Sequence, residues 1–135
     1  MPDTSPQIEI LQAQVPGQST AGTDDEFVLF EAPFAGTVTA ASYTTDAAIT
    51  GHASNNRVFS VINAGADGAG TTSVATVTSN ASNSFTAFDE KALTLSATAA
   101  NLVVAAGDIL KFKSDAQASG VADPGGVVAV TISRS

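Results

Sequence analysis

The sequence predicts an all-β protein, a single antiparallel β-sandwich of jelly-roll-like type with an extended N-terminal arm. Three observations carry that expectation. Short β-branched and aromatic segments recur along the chain, separated by stretches rich in Gly, Pro, Asn, Asp and Ser. About eight such segments at this spacing mark a sandwich or barrel. No segment holds its apolar residues at a 3.6-residue period over the length that a helix needs. With 135 residues and no cysteine, the chain reads as one domain stabilised by its own core and not by disulfides.

Residues 1–25 read as the arm and residues 26–135 as the sandwich. "MPDTSP" is polar and proline-punctuated, "QIEILQAQV" has the pattern of one strand, and "PGQSTAGTDD" is a run of turn formers. Asp3, Glu9, Asp24 and Asp25 have no basic counterpart there. Such a segment orders only against a surface, its own domain's or a neighbour's. Ile8 and Ile10 share one strand face, with Leu11 and Val15 on the other.

From Glu26 onward the strands follow in order. "EFVLFEA" is apolar on both faces, pairing Phe27 with Leu29 and Val28 with Phe30. "TVTAASYTT" comes next. "RVFSVINA" and "TSVATVTS" then flank a Gly/Asp loop and form a β-hairpin with a loose tip. "RVFSVINA" again has two apolar faces, Phe59 and Val61 against Val58 and Ile62. "LTLSA" and "NLVVAAG" are brief, and "TAFDEKALTLSATAA" holds at most a helical turn. "DILKFKS" sends Leu110 and Phe112 inward and Lys111 and Lys113 outward, and "VVAVTIS" sends Val128, Val130 and Ile132 inward. Before that last strand, "ADPGG" is turn chemistry, with Pro124 fixing φ and the glycines permitting positive φ.

A strand apolar on both faces calls for cover on both. Burying one large apolar side chain is worth ~1.5–3 kcal/mol, and a wet apolar face is an association site. The expected contacts with a second protein or copy are Ile8, Ile10, Leu11 and Val15 from the arm. From the two-faced strands they are Phe27, Phe30, Val58 and Ile62.

Charge narrows the partners. The formal net charge is −8, and the five basic residues, Arg57, Lys91, Lys111, Lys113 and Arg134, are scattered. Nucleic-acid and anionic-membrane binding both need clustered Lys and Arg, so neither is expected. No apolar run approaches the ~18 residues of a membrane span. "MPDTSPQIEI" lacks the basic and apolar regions of a secretory signal, so synthesis in the cytoplasm is expected. Only 13% of residues are charged, against about 25% in an ordinary domain. A surface of small neutral residues suits packing against other protein.

Candidate chemistry is sparse. "NAGADGAGTT" at residues 63–72 approaches a phosphate-binding loop through Gly65 and Gly70. Thr71 stands where the lysine is needed, Asp67 puts a negative charge in the cradle, and a strand follows in place of a helix. His52 is the sole histidine, and no serine sits in a G-x-S-x-G elbow. The acids of Asp24-Asp25-Glu26 and Asp89-Glu90 are adjacent, so on a strand they point to opposite faces and form no glycosidase pair. There is no Trp and one Tyr, Tyr43, which leaves little for stacking sugars. Asp67, Asp115 and Asp123 lack calcium-loop spacing and read as solvated turn residues. The expectation is a non-enzyme without cofactor or metal.

Four stretches together carry a likeness. "FEAPFAGTVTAASYTTDAAITG", "RVFSVINAGADGAGTTSVA", "AFDEKALTLSATAANLVVAAGDILKF" and "GVADPGGVVAVTIS" resemble the small β-sandwich decoration, or cement, proteins of tailed-bacteriophage heads. The likeness runs from about Phe30 to Ile132. It implies a structural virion protein on the outer capsid surface, made in the host cytoplasm. Its partners would be the major capsid protein and itself, as a homotrimer, and it would bridge capsid subunits and stabilise the mature shell. Gln7 to Val15 would then add a strand to a neighbour's sheet edge. The alternative is a phage fibre or spike domain that binds a receptor or carbohydrate around Tyr43 and His52.

Overall fold

The computed structural model describes residues 7–135. Ten strands build it: β1 (Ile8–Val15), β2 (Asp25–Glu31), β3 (Gly36–Thr45), β4 (Arg57–Asn63), β5 (Thr72–Thr78), β6 (Glu90–Ala92), β7 (Thr94–Leu95), β8 (Val103–Val104), β9 (Ile109–Ala116) and β10 (Gly126–Arg134). One 3-10 turn, Ala99–Leu102, interrupts them. The strands form two antiparallel sheets packed face to face, an all-β sandwich as the sequence predicts. The first sheet runs β1-β10-β3-β6, with β8 also on β3, and the second runs β2-β9-β4-β5-β7. Every connection except β4–β5 crosses from one sheet to the other. That exception is the expected hairpin, with Gly65 and Gly68 at positive φ in its tip.

Period-two alternation fills the space between the sheets. The first sheet supplies Val38, Ala41, Tyr43, Val128, Val130 and Ile132, and the second Phe59, Val61, Val74, Leu110 and Phe112, all buried. At the centre the Tyr43 ring meets Phe59 and Phe112 edge-on, at 5.1 and 4.9 Å between centroids. Phe59 and Phe112 stack at 5.8 Å. Edge-on and offset-stacked rings are the geometries that aromatic quadrupoles favour.

The two-faced strands are resolved inside the molecule. In β2 the register against β9 shifts between Val28 and Phe30. This bulge turns Phe30 to the same side as Phe27, and Phe27, Leu29 and Phe30 all pack on the core. Only Val28 is left outside, 71% exposed. Opposite Val61 and Ile62 of β4, the partner strand β5 carries a second bulge at Val74. Ile62 is buried on the outer face beside its cross-strand neighbour Lys111, whose Nζ reaches Glu26 Oε2 at 3.3 Å. The methylene stem of that lysine supplies the cover expected from a second protein. Val58 is half-buried.

The expected arm also differs. From residue 8 it belongs to the sandwich, because β1 pairs with β10 over its whole length, from Ile8↔Ser133 to Val15↔Gly126. Leu11 and Val15 face the core side, and Val15 is buried. Residues 1–6 of the expected arm lie outside the described residues.

A polar knot ties the β1–β2 loop to the domain. Arg57 is fully buried at the start of β4. Its Nε donates to Val121 O at 2.8 Å, Nη1 to Thr23 O at 2.9 Å and to the Ser114 hydroxyl and carbonyl at 3.2 Å, and Nη2 to Ala21 O at 3.0 Å and Thr20 O at 3.3 Å. A buried charge is tolerated when its donors are satisfied, and carbonyl oxygens do that here without a carboxylate. Gly120, at φ +65°, lets the β9–β10 loop approach this point, since a Cβ there would collide with Ala21 O.

Candidate docking face

The residues pointing away from the core make two unlike surfaces. On the first sheet, β1 contributes Ile8, Ile10 and Gln12, β10 contributes Val127, Ala129 and Thr131, β3 contributes Ala40 and Ser42, and β6 contributes Glu90 and Ala92. Cross-strand register places them in rows: Gln12 beside Ala129, Ala129 beside Ser42, and Ser42 beside Ala92. Ile8 and Ile10 are each 63% exposed. Small side chains between larger ones leave a shallow groove of about 260 Å³ lined by Ile10, Gln12, Ala40, Ser42, Ala92 and Thr131, among others. Among the described residues, Glu90 is the one formal charge along that groove.

The outer face of the second sheet carries the ion pairs Lys111–Glu26 and Lys113–Asp115, both at 3.3 Å, and the Ser60–Thr76 hydroxyl contact at 3.2 Å. Charged side chains hold their water strongly and resist burial against protein. Alanine and isoleucine side chains gain by leaving water, and a neutral hydroxyl or amide costs less to bury than a charge. The first sheet's outer face is therefore the less costly of the two to dehydrate.

The expected contact residues divide accordingly. Ile8 and Ile10 lie on this face, and Leu11 is half-buried at its border. Val15 and Ile62 are buried and Phe27 and Phe30 turn inward, so these four are not available as contacts. Val58 lies on the opposite outer surface. Sequence reasoning missed Ala40, Ala92, Ala129 and Val127, because an alanine on a strand carries no signal until its neighbours from other strands are known. It also missed Phe88, which is 79% exposed at φ +61°, its N–H donated to Thr45 O at 2.8 Å at the end of β3. A bulky residue in that backbone region is strained.

The candidates for chemistry do not converge. His52 Nδ1 accepts from Ser54 N and Asn55 N, so it closes its own turn. Asp24 accepts from Ala116 N, Asp25 from Glu26 N, and Glu26 pairs with Lys111: three neighbouring acids serve three separate contacts. Asp67 accepts from Ala69 N within the hairpin tip. Asp123 is not a solvated turn residue. It is 2% exposed and accepts from Tyr43 Oη at 2.6 Å, Ser114 Oγ at 2.9 Å and Gly125 N at 3.0 Å. Tyr43 is fully buried, so it offers no surface to a receptor or sugar. Burial, then the adjacent Asp123 carboxylate and more distantly Asp46, push its phenol well above the ordinary tyrosine range. Among the described residues, no group of three or more His, Cys, Asp or Glu side chains is placed to hold a metal ion.

Fold and surface define a β-sandwich with one neutral, grooved outer face. No protein-family model, curated protein or solved structure matches the chain.

Proposed function

We propose that this chain is a structural docking module, a decoration protein that lies on the outside of a tailed-phage capsid and stabilises the mature shell. One observation carries the docking reading: the first sheet's outer face is neutral and grooved while the second sheet's is laced with ion pairs. The capsid as partner rests on the sequence likeness. The strand order supports the jelly-roll-like description, since all connections but one cross between sheets. In this reading the second sheet faces water and the first lies on the major capsid protein.

The mechanism is linkage. A ligand that binds only the mature lattice stabilises it by RT ln(1 + [L]/Kd) at each site, and many sites act on one shell. Affinity at each site comes from dehydrating the alanine, serine and isoleucine rows of the first sheet.

The test is addition of the purified protein to expanded capsid shells lacking it, followed by sedimentation and thermal melting of the shells. Saturable binding at a fixed ratio to capsid subunits, with a higher melting temperature, is expected. Shells that neither retain the protein nor melt later overturn the assignment.

A further inference from the structure

Among the described residues, each sheet has one long edge strand and one short side. The short sides, β6, β7 and β8, are two or three residues long and offer little ladder to a partner. Of the long edges, β2 is broken by its bulge and carries Asp25, Glu26 and Glu31. β1 has none of these guards: eight residues in unbroken register, no proline, no lysine and one acid, Glu9.

Its hydrogen-bonding edge can be assigned. Arg134 N donates to Gln7 O at 2.7 Å, which makes Gln7 and Arg134 a bonded pair. Antiparallel ladders alternate bonded and non-bonded pairs. Glu9, Leu11 and Ala13 therefore turn their backbone groups to β10. Ile8, Ile10, Gln12 and Gln14 turn theirs to the free edge, and their side chains are the exposed ones.

We propose that this edge pairs with the same edge of a second copy, antiparallel about a two-fold axis at Leu11. In that register Ile8 lies opposite Gln14 of the second copy, Ile10 opposite Gln12, Glu9 opposite Ala13, and the two Leu11 residues face each other. All four outward N–H groups and all four outward C=O groups of each chain find partners. The half-buried Leu11 is covered by its own copy. The two Glu9 carboxylates fall four residues apart along the ladder, about 14 Å, beyond the screening length of ~8 Å in physiological salt.

The alternatives fit worse. A parallel in-register pairing stacks Glu9 on Glu9, and an antiparallel pairing about Ile10 leaves Gln14 unmated. Charge and donor count both select the two-fold arrangement among these edge pairings, and a two-fold pair differs from the three-fold association that the likeness implies. Two five-stranded sheets then become one of ten strands, with their neutral faces continuous. This association does not depend on the capsid reading.

The test is sedimentation equilibrium of the full chain, beside Ile10→Pro and two single-cysteine variants. The Ile10 N–H points to the free edge, so proline there removes an intermolecular donor and leaves the β1–β10 ladder intact. Wild type is expected to be a dimer, and Ile10→Pro to weaken dimerisation by about tenfold or more, with its circular dichroism unchanged. The native chain has no cysteine. Leu11→Cys should therefore oxidise in air to a disulfide-linked dimer, because directly opposite non-bonded pairs hold their Cα atoms about 4.5 Å apart, within the range a disulfide spans. Ala13→Cys should not crosslink, because its copies are offset along the ladder.

A monomeric or trimeric wild type, or equal crosslinking at positions 11 and 13, overturns the proposal. The cysteine pair decides the matter even if the proline variant fails to fold. A dimer that ignores capsid shells counts against the decoration reading alone, and a shell-binding monomer against this proposal alone.

Discussion

The two sheets are alike where they meet and unlike where they part. Inside, each presents aliphatic and aromatic side chains to the other, and Tyr43, Phe59 and Phe112 interlock across the middle. Outside, one sheet shows alanine, serine, threonine and isoleucine, and the other shows lysine paired with glutamate and aspartate. Stability is thus a property of both sheets together, whereas the proposed docking falls to one of them. Substitutions on inner positions should cost the same kind of energy whichever sheet they are in. Substitutions on outer positions should separate binding from folding.

The largest effect is expected inside. Phe59→Ala removes a fully buried ring and should destabilise the domain by about 3–5 kcal/mol in urea titration, with Phe112→Ala similar. A much smaller loss at either position would show that the interior is not evenly shared. On the neutral face, Ala129→Lys places a charge between Gln12 and Ser42. Shell binding should fall at least about tenfold, or 1.4 kcal/mol, while stability shifts by less than about 1 kcal/mol. Retained binding would move the docking surface elsewhere.

A third contrast is set by pH. The Tyr43 phenol is raised in the folded state by burial and Asp123, so the folded protein keeps the proton that the unfolded chain releases near pH 10. The stabilisation is complete below that pH and is lost as pH rises above it. Tyr43→Phe should flatten this alkaline decline, at a cost of about 1–2 kcal/mol near neutral pH for the lost Asp123 hydrogen bond. An alkaline limb identical in both proteins would contradict the assignment.

The smallest effect belongs to the charged face. Lys113→Ala should change stability by about 0.5 kcal/mol or less and leave shell binding intact, because exposed ion pairs contribute little. A large loss of binding would reverse the roles of the two faces.

Alternation made β9 and β10 readable from the sequence, because Leu110, Phe112, Val128, Val130 and Ile132 each have outward polar or smaller neighbours. The glycines and Asp67 marked the hairpin tip. β2 was not readable in the same way: Phe27, Val28, Leu29 and Phe30 look two-faced until a bulge shifts the count by one. Arg57 reads from the sequence as one of five scattered basic residues, and nothing in its neighbours announces that the carbonyls of Thr20, Ala21, Thr23 and Val121 will enclose it. The docking face was legible only through Ile8 and Ile10. Its remaining residues come from strands far apart in the chain, brought side by side by connections that cross between the sheets.

The enclosure of Arg57 also decides where the molecule tolerates added chain. Lengthening the stretch between β1 and β2 would pull carbonyls off a guanidinium that has no water to replace them. Past Gly65, which is bonded to β9, the β4–β5 tip holds its shape by its own turn contacts, and a methyl group built on Gly68 meets nothing. A peptide meant for display belongs at that tip, where it would extend into solvent without disturbing either sheet.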